Sequence, residues 1–293
     1  MSIPDLAAQI LSKTGNEFSE DSARTIIIVG SKSVGKTNLM YSFLEKSDKP
    51  RETLVLEYSF GRKSSQKQGI EKTICHVWEY GGKLDMLRKV LDAIPLRGRS
   101  FYCVMIDLSK VKTIWNTLEI CLQTIKESCI NSMPELLIIG GKYDAFKNYD
   151  GNTKKIISTT LRSVSMIYNA HLIFYSNKEP QLMKKAKEML YNIGFGNGIP
   201  LREKNTNSAK PLMIPKGLDN WDSIGVPMSN MEQVKLRHLS RIPSETEIKQ
   251  KYKGLQQTHP EPVLDSMAAL KYEELRNMES FDPSIDDYLM LLH

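Results

Sequence analysis

Short apolar runs bounded by turn residues alternate with stretches of helical period along the first two thirds of this chain, and that alternation predicts a mostly parallel sheet flanked by helices. Residues 25–29 (TIIIV) predict a buried strand, and 36–44 a helix. Residues 53–58 and 73–80 predict a strand pair, with the polar GRKSSQKQG between them as a turn. A short helix is expected over 84–91, a central strand over 101–108 (FYCVMIDL) and a long helix over 112–130. A strand over 136–140 (LLIIG), a helix over 153–168, a strand over 171–175 and a helix over 180–193 complete a set of six strands and five helices.

After Gly194 the pattern stops, because GFGNG and REKNTNSAK offer nothing to pack as a regular element. Residues 209–227 carry enough apolar side chains to lie across the preceding domain as an extended arm. The charge-alternating stretches 231–239, 244–255 and 263–278 read as surface helices or partly disordered chain. The expected organisation is an N-terminal segment 1–22, an α/β domain 23–195, an arm 196–230 packed on it and a polar tail 231–293. Near the end, 284–292 could form one amphipathic turn capped by Ser284, or a frayed terminus.

The strongest local signal is Gly30-Ser31-Lys32-Ser33-Val34-Gly35-Lys36-Thr37, a complete GxxxxGKT motif, which a chain this long meets by chance roughly one time in a hundred. It follows a predicted strand and opens a predicted helix, the setting its mechanism needs. Glycines let the backbone curl so that the amides around Ser33, Val34 and Gly35 converge on phosphate oxygens at a helix N-terminus. Lys36 would neutralise the β- and γ-phosphates, and the Thr37 hydroxyl would hold a magnesium ion. The alternative is a tight strand-to-helix turn that binds nothing.

With this loop the element order becomes that of an α/β Ras-like P-loop domain: a mostly parallel six-stranded sheet flanked by helices, followed by a C-terminal extension. Ras-like GTPases end the second strand pair in Asp-x-x-Gly, which reaches magnesium. Here the run is Trp78-Glu79-Tyr80-Gly81-Gly82, so Glu79 would take the metal-facing role. Lys83 stands where a glutamine would orient the attacking water, and an ammonium offers no acceptor for a water proton. Fast hydrolysis is not expected. The Asn-Lys-x-Asp base reader is matched by Gly141-Lys142-Tyr143-Asp144: Asp144 would accept from the guanine edge and Lys142 would cover the ring, but the asparagine that ties this loop to the phosphate loop is absent. Ser176-Asn177-Lys178, after the last strand, is similar to the Ser-Ala-Lys contact to guanine, which makes Ser176 and Lys178 candidates. The expected ligand is GDP or GTP with magnesium, or an empty cradle. Trp78 and Trp115 read as core or partner-facing aromatics.

The blocks TLVLEYSFGRK (53–63) and HVWEYGG (76–82), the Gly140–Asp144 run, and the arm residues Lys210-Pro211-Leu212, Gly217-Leu218-Asp219 and Ile224-Gly225 together resemble the light intermediate chains of cytoplasmic dynein 2, over about residues 24–228. The dynein 1 light intermediate chains match less well, since their Glu-Tyr block lacks the following Gly-Arg-Lys. The resemblance implies a non-catalytic subunit docked on the dynein 2 heavy chain, among the other dynein complex subunits, for retrograde intraflagellar transport in cilia or flagella. It places the protein in the cytoplasm, at the basal body and on the ciliary cytoskeleton. Any nucleotide would then be a structural ligand. The chain departs from the family in a shorter insert after the fourth strand, where Asp107-Leu108-Ser109-Lys110 leads directly into a helix and then Met133-Pro134.

Composition narrows the field without redirecting it. With 41% apolar and 25% charged residues the chain is of ordinary globular type, and its net charge of +6 comes from 40 basic and 34 acidic residues scattered in mixed sign. No aromatic-studded basic block marks a nucleic-acid groove, so no nucleic acid is expected. The start MSIPDLAAQILSK lacks the marks of a leader, and no run approaches a membrane span, so neither export nor membrane insertion is expected. Cys75, Cys103, Cys121 and Cys129 lack CxxC spacing and read as free thiols, and no histidine has metal-ligand neighbours. Two other functions compete: an active Rab-like GTPase of ciliary trafficking, supported by the intact loop but opposed by Lys83 and Gly141, and an ATP-dependent small-molecule kinase, for which no acceptor site or lid can be named.

Overall fold

The structure, a computed structural model, describes residues 23–63, 73–96, 98–129, 135–196 and 203–243, with six further residues between 263 and 271. The chain divides into two compact units, Met1–Glu245 and Thr246–His293. In the second, the described residues are helical, among them the exposed Val263, Leu264, Met267 and Leu270. The expectations for 1–22, 244–255, 284–292 and most of 263–278 lie outside the described residues.

The first unit is a seven-stranded sheet in the order β2-β3-β1-β4-β5-β6-β7. Five strands run parallel: β1 (Ala23–Gly30), β3 (Thr73–Tyr80), β4 (Arg99–Asp107), β5 (Glu135–Gly141) and β6 (His171–Phe174). At the two edges, β2 (Leu56–Lys63) and β7 (Met213–Ile214) pair antiparallel with β3 and β6. The sequence pattern predicts six strands, and the seventh comes from the arm. Two residues carry no detectable period of their own, and Met213 and Ile214 become a strand because β6 offers an open edge, with Ile173 opposite Met213 and Leu172 opposite Ile214.

Strand β2 starts three residues later than the apolar run TLVL suggests and continues through Gly61, Arg62 and Lys63, which were expected in the turn. Leu54 and Val55 stay exposed outside the sheet, because the chain there crosses over Gly81: the Gly81 N–H donates to the Val55 carbonyl at 2.8 Å. The helix expected over 84–91 begins as a 3-10 turn, Leu84–Met86, before α2.

The helices are α1 (Lys36–Phe43), α2 (Leu87–Ala93), α3 (Ile114–Ser128), the short α4 (Tyr143–Phe146), α5 (Gly151–Ile167), α6 (Pro180–Phe195), α7 (Trp221–Ile224) and α8 (Met231–Leu239). Their ends carry the expected local chemistry. Asp150 accepts from the Thr153 N–H, Pro180 opens α6, Gly196 closes it in the left-handed conformation, and Asn230 with Gln233 forms a capping box.

Alternation along β1 sorts the core onto two faces. Ile27 and Val29 join Leu87, Leu118, Leu161 and Phe174 on one, while Ile26 and Ile28 join Leu39, Phe43, Met189 and Leu190 on the other. The arm closes over the first face. Arg162 on α5 makes a two-pronged pair with Asp219, Nε to Oδ2 and Nη2 to Oδ1 each at 2.8 Å, and also donates to Ser223 Oγ at 2.7 Å. Helix α8 adds Val234 to the core, and its His238 meets Thr160 Oγ1 at 3.0 Å, with burial pulling the imidazole down to about 4. Cys75, Cys103 and Cys121 are buried and Cys129 half-buried, all as free thiols; burial pushes Cys75 and Cys121 up to about 12. Among the described residues, no helix is long and apolar enough to cross a membrane.

Candidate functional site

All the predicted site residues stand at, or just after, the carboxyl ends of the parallel strands. The strand order turns about β1 there, which is where open α/β sheets place their ligands. Gly30 ends β1 at φ +127°, and a Cβ on it would stand 1.9 Å from the Met105 carbonyl oxygen, so only glycine fits. The Ser31 N–H donates to that same carbonyl at 2.8 Å. Ser33 at φ +55° and Gly35 at φ +102° complete the curl, and α1 starts from Gly35 with no side chain capping its first amides. Those N–H groups are left for an anion. Val34 buries its side chain in the core and contributes backbone alone to the loop.

The charged members of the site are short of partners. Lys36 is 5% exposed, and its ammonium donates to the Ser31 carbonyl at 2.8 Å. Burial lowers its pKa, against a pull upward from the Glu79 carboxylate. Glu79, beside Ile28 in the β1–β3 register, is 2% exposed and accepts from Thr37 Oγ1 at 2.7 Å through Oε1. Its Oε2 is buried without a hydrogen-bond partner, and burial raises the carboxyl pKa, against the Thr37 hydrogen bond and the Lys36 charge. Orphaned anionic oxygen, threonine hydroxyl and buried lysine in one cleft fit a magnesium ion with a phosphate group: Thr37 and Glu79 would hold the metal, Lys36 and the loop amides the phosphates. Across the cleft lie Arg51, Glu52 and Thr53, and Lys32 pairs with Glu52 at 3.3 Å.

Thr53 is a member that sequence reasoning missed. It is buried, donates from Oγ1 to Glu57 Oε2 at 3.0 Å, and its carbonyl oxygen would lie 1.8 Å from a Cβ on Gly81. A threonine at the head of an apolar run carries no signal by itself; the contact with Gly81 places it in the cleft. Lys83, exposed, lines a neighbouring hollow with Gly30, Gly81 and Asp107.

The loops after β5 and β6 adjoin this cradle. A Cβ on Gly35 would lie 3.5 Å from the Tyr175 ring, and the Tyr143 N–H donates to the Tyr175 carbonyl at 3.0 Å. Asp144 accepts from Ser176 Oγ at 2.7 Å and pairs with Lys178 at 2.9 Å. Partial burial pushes the Asp144 carboxyl up, and these two partners more than offset it, holding it below the usual range. The trio Asp144, Ser176 and Lys178 is thus one cluster. Lys142 lies apart from it: at φ +58° it turns its ammonium onto Asp107 Oδ2 at 2.8 Å, so its stem alone is available to cover a ring. Asp107 is the second residue missed. A carboxylate closing the apolar run Phe101–Ile106 is the signal that could have found it. Among the described residues, no group of three or more His, Cys, Asp or Glu could hold a metal ion by itself.

Residues 25–144 match the family model described as "Ras of Complex, Roc, domain of DAPkinase". The chain is 31% identical to the zebrafish (Danio rerio) protein "Cytoplasmic dynein 2 light intermediate chain 1", over 90% of this chain and 89% of that one. It is 31% identical to the human protein of the same name, over 73% of this chain and 70% of that one. A solved structure described as "Crystal Structure of the Dynein Light Intermediate Chain's Conserved Domain" superposes with a TM-score of 0.48 at 12% identity, covering 74% of this chain and 88% of that chain.

Proposed function

The chain belongs to the cytoplasmic dynein 2 light intermediate chain family, and from that membership we propose that it is a non-catalytic subunit that binds and steadies the dynein 2 heavy chain for retrograde intraflagellar transport. The observation that carries this reading is the identity held across nine tenths of the chain, arm included, and not confined to the P-loop domain. The work is done in the cytoplasm, at the basal body and along the cytoskeleton of a cilium or flagellum, together with the other dynein subunits. An uncovered aromatic face supports it. Tyr58 and Phe60 on β2 and His76 and Trp78 on β3 form one ladder, with the Tyr58 and Trp78 rings 4.7 Å apart and Phe60 62% exposed. Exposed apolar surface of this kind marks association sites.

In this reading the nucleotide site is degenerate. GDP or GTP with magnesium sits in the cradle as a structural ligand and stabilises the fold by mass action. The chain's own residues bind and orient the phosphates through Lys36, Thr37 and the loop amides. Hydrolysis is slow because Lys83 can accept no proton from an attacking water.

The test is affinity isolation of the tagged chain from ciliated cells, followed by denaturation and chromatography of any released nucleotide. Recovery of dynein 2 heavy chain, with guanine nucleotide or none, is expected. Absence of heavy chain, or stoichiometric ATP, refutes the proposal. The intact phosphate cradle favours a second reading, an active Rab-like GTPase; single-turnover hydrolysis well above background, lost on Lys36→Ala, would establish it.

A further inference from the structure

The asparagine that would tie the base-facing loop to the phosphate loop is replaced by Gly141, and the room for it is taken: a Cβ at 141 would stand 2.5 Å from Val34 Cγ2. We propose that Asp107 supplies the missing tie, as a positioning residue that couples the two loops and slows release of a guanine nucleotide. The inference rests on the guanine-nucleotide reading given above.

Strand β4 lies between β1, which carries the phosphate loop, and β5, which carries the base-facing loop. Its carboxyl end is therefore a place from which one residue reaches both, and Asp107 does. Its N–H donates to Ser31 Oγ at 3.1 Å, holding the phosphate loop. Its Oδ2 accepts from the Lys142 ammonium at 2.8 Å, holding the base-facing loop. Its Oδ1 accepts from the Ser109 N–H at 3.0 Å and the Ser109 hydroxyl at 2.5 Å, and the Ser109 carbonyl in turn accepts from Tyr149 OH at 2.7 Å.

The Asp107 side chain is 1% exposed, against 33% for Lys142. A buried carboxylate with both oxygens satisfied is a fixed post, whereas a half-exposed ammonium is what it fixes. Lys142 needs fixing. A non-glycine residue at φ +58° persists only when its surroundings hold it, and the turn it starts carries Tyr143 and Asp144. An apolar residue would continue the run of β4 without the cost of burying a charge, so the carboxylate is explained by what it holds.

Three substitutions in the full chain test this. Asp107→Ala removes the carboxylate that holds Lys142 and Asp107→Asn keeps its shape while giving up the charge; because the backbone N–H of residue 107 survives both, Ser31→Ala is added to remove the hydroxyl which that N–H holds. With methylanthraniloyl-GDP as the probe, release should quicken about tenfold for Asp107→Ala and less for Asp107→Asn. In the nucleotide-free chain, amide hydrogen exchange should rise together over 31–36 and 142–146 in Asp107→Ala and in Ser31→Ala alike, each cutting one arm and loosening both loops, while that of β1 and β3 stays as it was, a pattern general destabilisation would not give. Adding Gly141→Asn and Val34→Ala to Asp107→Ala should restore slow release. Exchange that rises in one loop alone, or in neither, overturns the proposal. If the unaltered chain binds no probe, the nucleotide reading fails, and amide exchange alone decides whether the loops are coupled. If Asp107→Ala does not fold, Asp107→Asn carries both measurements.

Discussion

At the phosphate side of the cleft, Gly30, Ser33 and Gly35 take positive φ, the first helical amides are uncapped, and the shape is set by backbone. On the side of the loops after β5 and β6, Asp144, Ser176, Lys178, Lys142 and Asp107 set the arrangement through side-chain bonds. The difference separates what steric limits fix from what side-chain bonds leave free to vary. Backbone geometry is fixed by steric limits that a substitution violates outright, so a cradle stays whole or is lost. Side-chain bonds can be exchanged one for another at about 1 kcal/mol each, so an arrangement held by them alone is free to drift.

The sharpest way to break this comparison is to put a methyl group on each side. Gly30→Ala drives a Cβ onto the Met105 carbonyl at a φ that alanine avoids, and should cost about 3 kcal/mol or more in urea unfolding. A cost below that of an ordinary surface change would show the cradle to be soft. Next, Lys36→Ala should weaken GDP binding by calorimetry about 10–100-fold, the worth of a charge-assisted contact. Asp144→Ala should cost less, about tenfold at most, since Ser176 and Lys178 already occupy its oxygens and a base must compete for them. Equal losses would erase the distinction.

Gly141→Ala should cost about 2 kcal/mol, because its nearest obstacle is a buried Val34 methyl at 2.5 Å with the Val34 carbonyl oxygen at 3.1 Å, both farther than the carbonyl that blocks Gly30. The smallest effect sharpens the charge balance. Burial raises the Glu79 pKa, so between the unfolded and folded values the folded chain keeps a proton the unfolded chain has lost. Stability is therefore full below the ordinary carboxylate value and falls as the pH climbs through the raised one. Glu79→Gln removes that slope and should gain about 1 kcal/mol at neutral pH in metal-free melts. A variant with the same pH slope as the parent would place the penalty elsewhere.

How much was legible follows from which physics each feature rests on. The strand over Thr73–Tyr80 can be read to the residue, since apolar period is local, whereas 231–239, which reads equally as a surface helix or partly disordered chain, is a helix in the structure. The start of β2 cannot: Leu54 and Val55 look like strand residues and lie exposed, drawn off the sheet by the contact with Gly81. The phosphate loop is legible because its glycines are required in a fixed order along the chain. Thr53 is not, because it matters only through Gly81, distant in sequence; of Asp107 the sequence shows a carboxylate ending an apolar run, but not the Lys142 it meets.

By itself the sequence determined the alternation of strands and helices, the glycine-rich loop after β1, the glycine at 141, and the kinship that identity reports. Each is a matter of residue type and spacing along one line. Only the tertiary structure decided that the arm supplies a seventh strand, that Arg162 and Asp219 clasp it, that Lys142 leans on Asp107, and that Glu79 keeps one oxygen unsatisfied. These depend on which open edge or buried charge meets which distant side chain, and packing settles that after the local pattern is spent.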